Sequence, residues 1–119
     1  MGFLELEPQK DFRFVVVPVP YEATTTYGKG TKNGPAAILK ASQHVENFDH
    51  ELGFDPAEKS GIATEKPVLF GRLPVLIRHL LTNDKFPIFL GGEHSITPVI
   101  VRELAKKYRD LSVLQLDAH

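Results

Sequence analysis

The 119-residue sequence predicts an α/β fold, a mainly parallel sheet in the middle of three layers with helices on both faces. Three observations carry this. Short apolar, β-branched blocks recur at residues 12–17, 86–90 and 111–116, the pattern of strands buried on both faces. Stretches with helical spacing separate them, and the residues just after two of the blocks are unusually polar. One helix between two strands is the βαβ unit, whose crossover places the strands side by side.

Taken in order, Phe-Arg-Phe-Val-Val-Val at residues 12–17 forms the first strand, closed by Pro18. Residues 20–34 carry three consecutive threonines and glycines at 28, 30 and 34 with no regular period, so they read as a long loop. Pro35 fits the first turn of a helix that runs on through Ala36, Ile38 and Leu39 to end near residues 42–45. Residues 47–66 give no assignment beyond a short strand around 45–48. Apolar positions 73, 76, 77, 80 and 81 lie on one helical face, with Pro74 in the first turn and Asn83-Asp84 closing the helix. Phe-Pro-Ile-Phe-Leu at 86–90 is a strand running straight into Gly91-Gly92. A helix follows, capped by Ser95 or Thr97, with Pro98 in its first turn, Ile96, Ile100, Leu104 and Tyr108 along one side and Lys106, Lys107 and Arg109 at its negative end. Residues 111–116 form the last strand.

Composition narrows the chemistry. Fourteen Lys and Arg against fifteen Asp and Glu give a net charge of −1 with no basic stripe, which argues against nucleic-acid and polybasic membrane partners. The early apolar run is too short to span a membrane, so an intracellular, cytoplasmic protein is the expectation. Zero cysteines exclude disulfides, thiolate metal sites and thiol nucleophiles. The glycine-rich loop is no phosphate cradle: Ala23 stands where a Walker loop needs its first glycine, and Asn33 where a dinucleotide fingerprint needs its third. Ser95 lacks the G-x-S-x-G elbow of a serine hydrolase.

Ligands of parallel sheets collect beyond the carboxyl ends of the strands. Two such ends matter here, Gly91-Gly92-Glu93-His94-Ser95 and Asp117-Ala118-His119. Residues two apart in an extended segment point the same way, so Asp117 and His119 face one space, and the helix crossover brings His94 to the same rim. Imidazole plus carboxylate suits Mn²⁺, Fe²⁺ or Zn²⁺. Each motif alone is also what a turn-forming Asp or a loop His looks like; together, at one rim, they point to a His/Asp/His metal site. His44, His50 and His79 fall away from that rim and read as solvated.

At these residues the sequence resembles the ureohydrolase (arginase/agmatinase) family. Gly91-Gly92-Glu93-His94-Ser95 is similar to the family's first metal motif, GG[DEN]HS, and Asp117-Ala118-His119 to the opening of its second, D-A-H-x-D. Val19-Pro20-Tyr21-Glu22-Ala23-Thr24 and the run from Tyr27 to Ile38 resemble agmatinases more than arginases. The resemblance implies an arginase/deacetylase-like three-layer α/β/α fold, incomplete in this chain, with residues 1–119 as the N-terminal part of a single domain. It implies two Mn²⁺ per site in the complete enzyme, with His94 on one ion, His119 on the other and Asp117 bridging both. Asp117 and His119 would then act in catalysis through a metal-bridging hydroxide, and Glu93 would orient a ligand or make a plain loop contact. The implied reaction is hydrolysis of a small guanidine, agmatine to putrescine and urea, within polyamine biosynthesis, by a homo-oligomer. The family's next Asp would fall two residues past His119 and its S-x-D-x-D ligands later still. The alternatives are a non-catalytic domain with weak divalent-metal binding and, on the same fold, a zinc deacetylase, against which the GGEHS string and the N-terminal signature argue.

Overall fold

A computed structural model describes residues 1–6 and 10–118. Three parallel strands, β1 (Phe14–Val19), β2 (Ile62–Thr64) and β3 (Phe86–Gly91), form a sheet in the order β2-β1-β3. Between them run α1 (Gly34–Ser42), α2 (Pro56–Ser60) and α3 (Leu73–Thr82), and α4 (Thr97–Lys107) follows β3. No helix among the described residues is long and apolar enough to cross a membrane.

The pleat of the central strand explains the layering. Alternate residues Val15, Val17 and Val19 point to one face, where Leu73, Ile77, Leu80 and Leu81 of α3 and Ile96 close a buried core. Val16 and Pro18 point to the other face and are equally buried, with α1 on that side contributing the buried Leu39. Helices therefore cover both faces, as the three-layer reading requires.

The first strand extends two residues past its expected end and takes in Pro18, which belongs in a central strand only where its missing N–H is not needed. Backbone groups of even-numbered β1 residues point toward β2, since Val16 O accepts from Glu65 N and Pro18 O from Val68 N, both at 2.8 Å. The ladder with β2 ends at the Val16–Thr64 pair, so no acceptor is lost at Pro18. Pro87 is tolerated for the complementary reason. Phe86 N donates to Arg13 O, which turns the neighbouring position 87 to the outer edge of β3.

Four expectations change. The stretch 111–116 is not a strand: it carries no regular structure, and Val113, Leu114 and Leu116 are 60%, 85% and 89% exposed. Among the described residues no backbone bond ties it to β3, whose outer edge is interrupted by Pro87, and only the start of α4 lies beside it, so it gains neither ladder bonds nor burial. The short strand at 45–48 is also absent; the local pairing is a single antiparallel bridge between Asp49 and Phe54. In the same unassigned region, α2 starts at Pro56 with Asp55 Oδ1 accepting from the Ala57 and Glu58 N–H groups, and β2 follows it. Neither Ser95 nor Thr97 caps α4. A 3-10 turn, His94–Ile96, fuses onto the helix and leaves Ile96, already helical, at the cap position.

Candidate metal centre

β3 ends at Gly91, and the chain must turn at once beneath the segment leaving β1. Gly92 N donates to Val19 O (3.2 Å) and Glu93 N to Tyr21 O (3.1 Å), so two strand ends are stitched together there. A Cβ on Gly92 would stand 2.2 Å from Tyr21 O, which is why a glycine occupies it, while Gly91 faces the Ile96 side chain. The turn presents His94 at the carboxyl end of the sheet with its ring 72% exposed.

Asp117 reaches the same place without strand pairing. Residues 113–117 lie over the start of α4 and, with His94, Thr97 and Pro98, enclose a hollow of about 500 Å³. Asp117 Oδ2 stands 3.8 Å from His94 Nδ1, and the carboxylate is oriented by Gln115 Nε2 (2.9 Å) and by the Ala118 N–H (2.7 Å). Two metal–ligand bonds of ~2.0–2.2 Å at angles of ~90–130° hold their donors ~2.8–4.0 Å apart, so this pair has the spacing and the N/O chemistry of two ligands of one divalent ion. His119 lies outside the described residues. Among the described residues no group of three His, Asp or Glu gathers as a metal cluster. His44 is exposed just past α1, His50 packs edge-on against Phe48 at 5.3 Å, and His79 occupies the last turn of α3.

Glu93 does more than the sequence could say. Only 9% exposed, its Oε1 accepts from the Ala23 N–H (3.1 Å), the Thr24 N–H (3.1 Å) and Thr24 Oγ1 (3.0 Å), and Oε2 accepts from the Thr24 N–H (3.2 Å). Burial pushes this carboxyl up, but those donors outweigh it and hold it below the ordinary carboxylate value, helped by the buried Ser95 hydroxyl beside it, which lies outside full hydrogen-bond geometry. Glu22 repeats the device at the far foot of the same loop. Its Oε2 takes the N–H of Gly30, whose φ of +114° suits only glycine, along with the Thr31 hydroxyl (3.0 Å) and the Lys32 N–H (3.4 Å). The Glu93 partnership has no local sequence signal, because Glu93 and Thr24 are 69 residues apart.

The sequence model of the arginase family matches residues 12–119. An N(1)-aminopropylagmatine ureohydrolase of Synechocystis sp. is 40% identical over an alignment covering 98% of this chain and 44% of the relative. An agmatinase of Bacillus cereus is 32% identical, covering 98% of this chain and 43% of the relative. Among solved structures, a hypothetical agmatinase from Burkholderia thailandensis superposes with a TM-score of 0.77 at 27% identity, over 90% of this chain and 38% of that one. The chain thus spans less than half the length of the relatives it matches. The parallel sheet, the GGEHS turn and these matches agree, and the chain belongs to the arginase family.

Proposed function

We propose that this chain is the N-terminal part of a ureohydrolase domain that hydrolyses small guanidines, with agmatine as substrate. The observation that carries the reading is the meeting of His94 Nδ1 and Asp117 Oδ2 at 3.8 Å on the catalytic rim of the sheet. The relatives named ureohydrolase and agmatinase support the reaction class. His94, Asp117 and His119 would hold Mn²⁺ here, and the ion would supply Lewis acidity that makes water nucleophilic near neutral pH. The chain's own residues do the positioning. The stitched turn at Gly92 fixes the backbone from which His94 projects, Gln115 and the Ala118 N–H aim the Asp117 carboxylate, and Glu93 holds the neighbouring loop against the site.

Mn²⁺ titration of the chain by calorimetry, paired with a urea-release assay on agmatine in the complete polypeptide, tests this. His94→Ala and Asp117→Ala are each expected to weaken Mn²⁺ binding tenfold or more and to abolish urea release. Mn²⁺ affinity that is indifferent to both substitutions would sink the assignment.

A further inference from the structure

The loop between β1 and α1 is tied down at its two feet and nowhere between them. At the near foot Glu93, only 9% exposed, takes four bonds from Ala23 and Thr24 on both carboxylate oxygens. At the far foot the bonds from Gly30, Thr31 and Lys32 all fall on Oε2 of Glu22, and Thr31 and Lys32 stand in solvent. Water competes for those bonds, so the far clip is the weaker one. Among the described residues no hydrogen bond, ion pair or ring contact involves residues 25–29, and Tyr27 at the tip is 98% exposed. Gly28 and Gly30 hold φ of +71° and +114°, and a Cβ on either would meet nothing within 4 Å, so the far foot has both backbone freedom and room to move. Beneath the loop lies a hollow of about 330 Å³, between residues 24–27 on one side and Glu93, His94 and Ser95 on the other.

We propose that residues 23–32 are a lid that turns about its Glu93-held foot, unlatches at Glu22, and lays Tyr27 over the His94 rim when that rim is occupied. Burial drives the movement. A tyrosine ring left wholly in water gains by covering another surface, and an occupant of the rim supplies a surface that the open position lacks. The closed lid shuts bulk water out of the rim, and the latch sets how much of the occupant's binding is spent on closing. Closure rests on the guanidine reading above; the hinge and the latch do not.

The test has two arms. In metal-free chain, hydrogen exchange at the Gly30 and Lys32 amides is expected to be about tenfold or more faster than at Ala23 and Thr24. Glu22→Ala should bring the first pair to open-chain rates and leave the second pair protected. Loss of protection at both feet together, or at neither, means that the loop is one rigid unit and overturns the lid. The second arm reads closure. The sequence has no tryptophan, so Tyr27→Trp adds a single indole at the tip. Its emission is expected to shift to the blue on addition of Mn²⁺ and agmatine, at an agmatine concentration about two- to tenfold lower when Glu22→Ala is also present, because no latch then has to be broken. Calorimetric binding of Mn²⁺ and agmatine without a blue shift, or a shift that Glu22→Ala moves to higher concentration, overturns the closure and leaves the guanidine reading standing. Failure of Mn²⁺ or agmatine to bind defeats that reading and the closure with it, and the exchange rates alone then decide the hinge.

Discussion

Gly91 and Gly92 show how two identical neighbours can be held by different constraints. Neither has a positive φ, so conformational freedom is not the reason for either. Space is the reason. At Gly91 a Cβ would meet Ile96 Cδ1 at 2.9 Å, the end of a side chain that can rotate away; at Gly92 it would meet the Tyr21 carbonyl oxygen at 2.2 Å and the Tyr21 nitrogen at 3.2 Å, neither of which can. Gly92→Ala must push the β1 exit off the β3 exit and break both stitching bonds, at a cost of ~1–3 kcal/mol or more by the usual scale of overpacking. Urea denaturation should show that loss, with Gly91→Ala clearly milder. Equal effects of the two substitutions would mean that the turn relaxes around Cβ at either place. The sequence displayed a tight turn here and nothing of its partner, since the obstructing carbonyl arrives from a segment about 70 residues earlier. Glu93 was open to two readings for the same reason.

At the level of helices, spacing was the most readable signal. Positions 73, 77, 80 and 81 of α3 are buried as their periodicity requires, and Leu76 packs against the same cluster. Ile77, fully buried, is expected to lose ~2–5 kcal/mol on truncation to Ala, measurable as a lowered urea midpoint. The contact between α3 and α4 was not readable. Glu103, seven residues after Ile96 and so on the same face of the helix, is only 5% exposed and bridges Lys106 Nζ (2.6 Å) and Arg78 Nη1 (3.2 Å). The Lys106 hydrogen bond leads in holding its carboxyl below the ordinary value, against the upward push of burial, with Arg78 adding to the pull. A carboxylate depressed in the folded state binds fewer protons there than when unfolded. Its stabilising contribution is therefore complete above the unfolded carboxylate pKa and fades as pH falls through the folded value. Stability measured from pH 7 down to pH 3 should fall less steeply in Glu103→Gln than in the unaltered chain; parallel curves would mean that the bridge does not discriminate between folded and unfolded states.

The whole molecule turns on where the sheet stops. A strand needs a partner edge and cover on its faces, and pattern alone reports neither, which is why residues 111–116 read as a strand yet carry no ladder bonds. The same pattern at 86–90 does form a strand, because β1 supplies the edge and α3 lies against one face. β3 is nevertheless the rim of the sheet, with Phe86 and Ile88 53% and 39% exposed, and its outer row of donors is broken at Pro87. The candidate ligands meet even so: Asp117 reaches His94 across the start of α4, so the site depends on the lie of a single extended segment more than on sheet register. Hydrogen exchange can separate these roles. Amides of β1 should exchange only with global unfolding, while amides of residues 111–116 exchange near the rate of an open chain. Val113→Lys should leave stability within ~0.5 kcal/mol, whereas Val17→Lys, at a position with no exposed surface, should unfold the protein. Strong protection across residues 111–116 in the isolated chain would instead mean that the segment pairs with β3, and the ladder would then be the scaffold of the metal ligands.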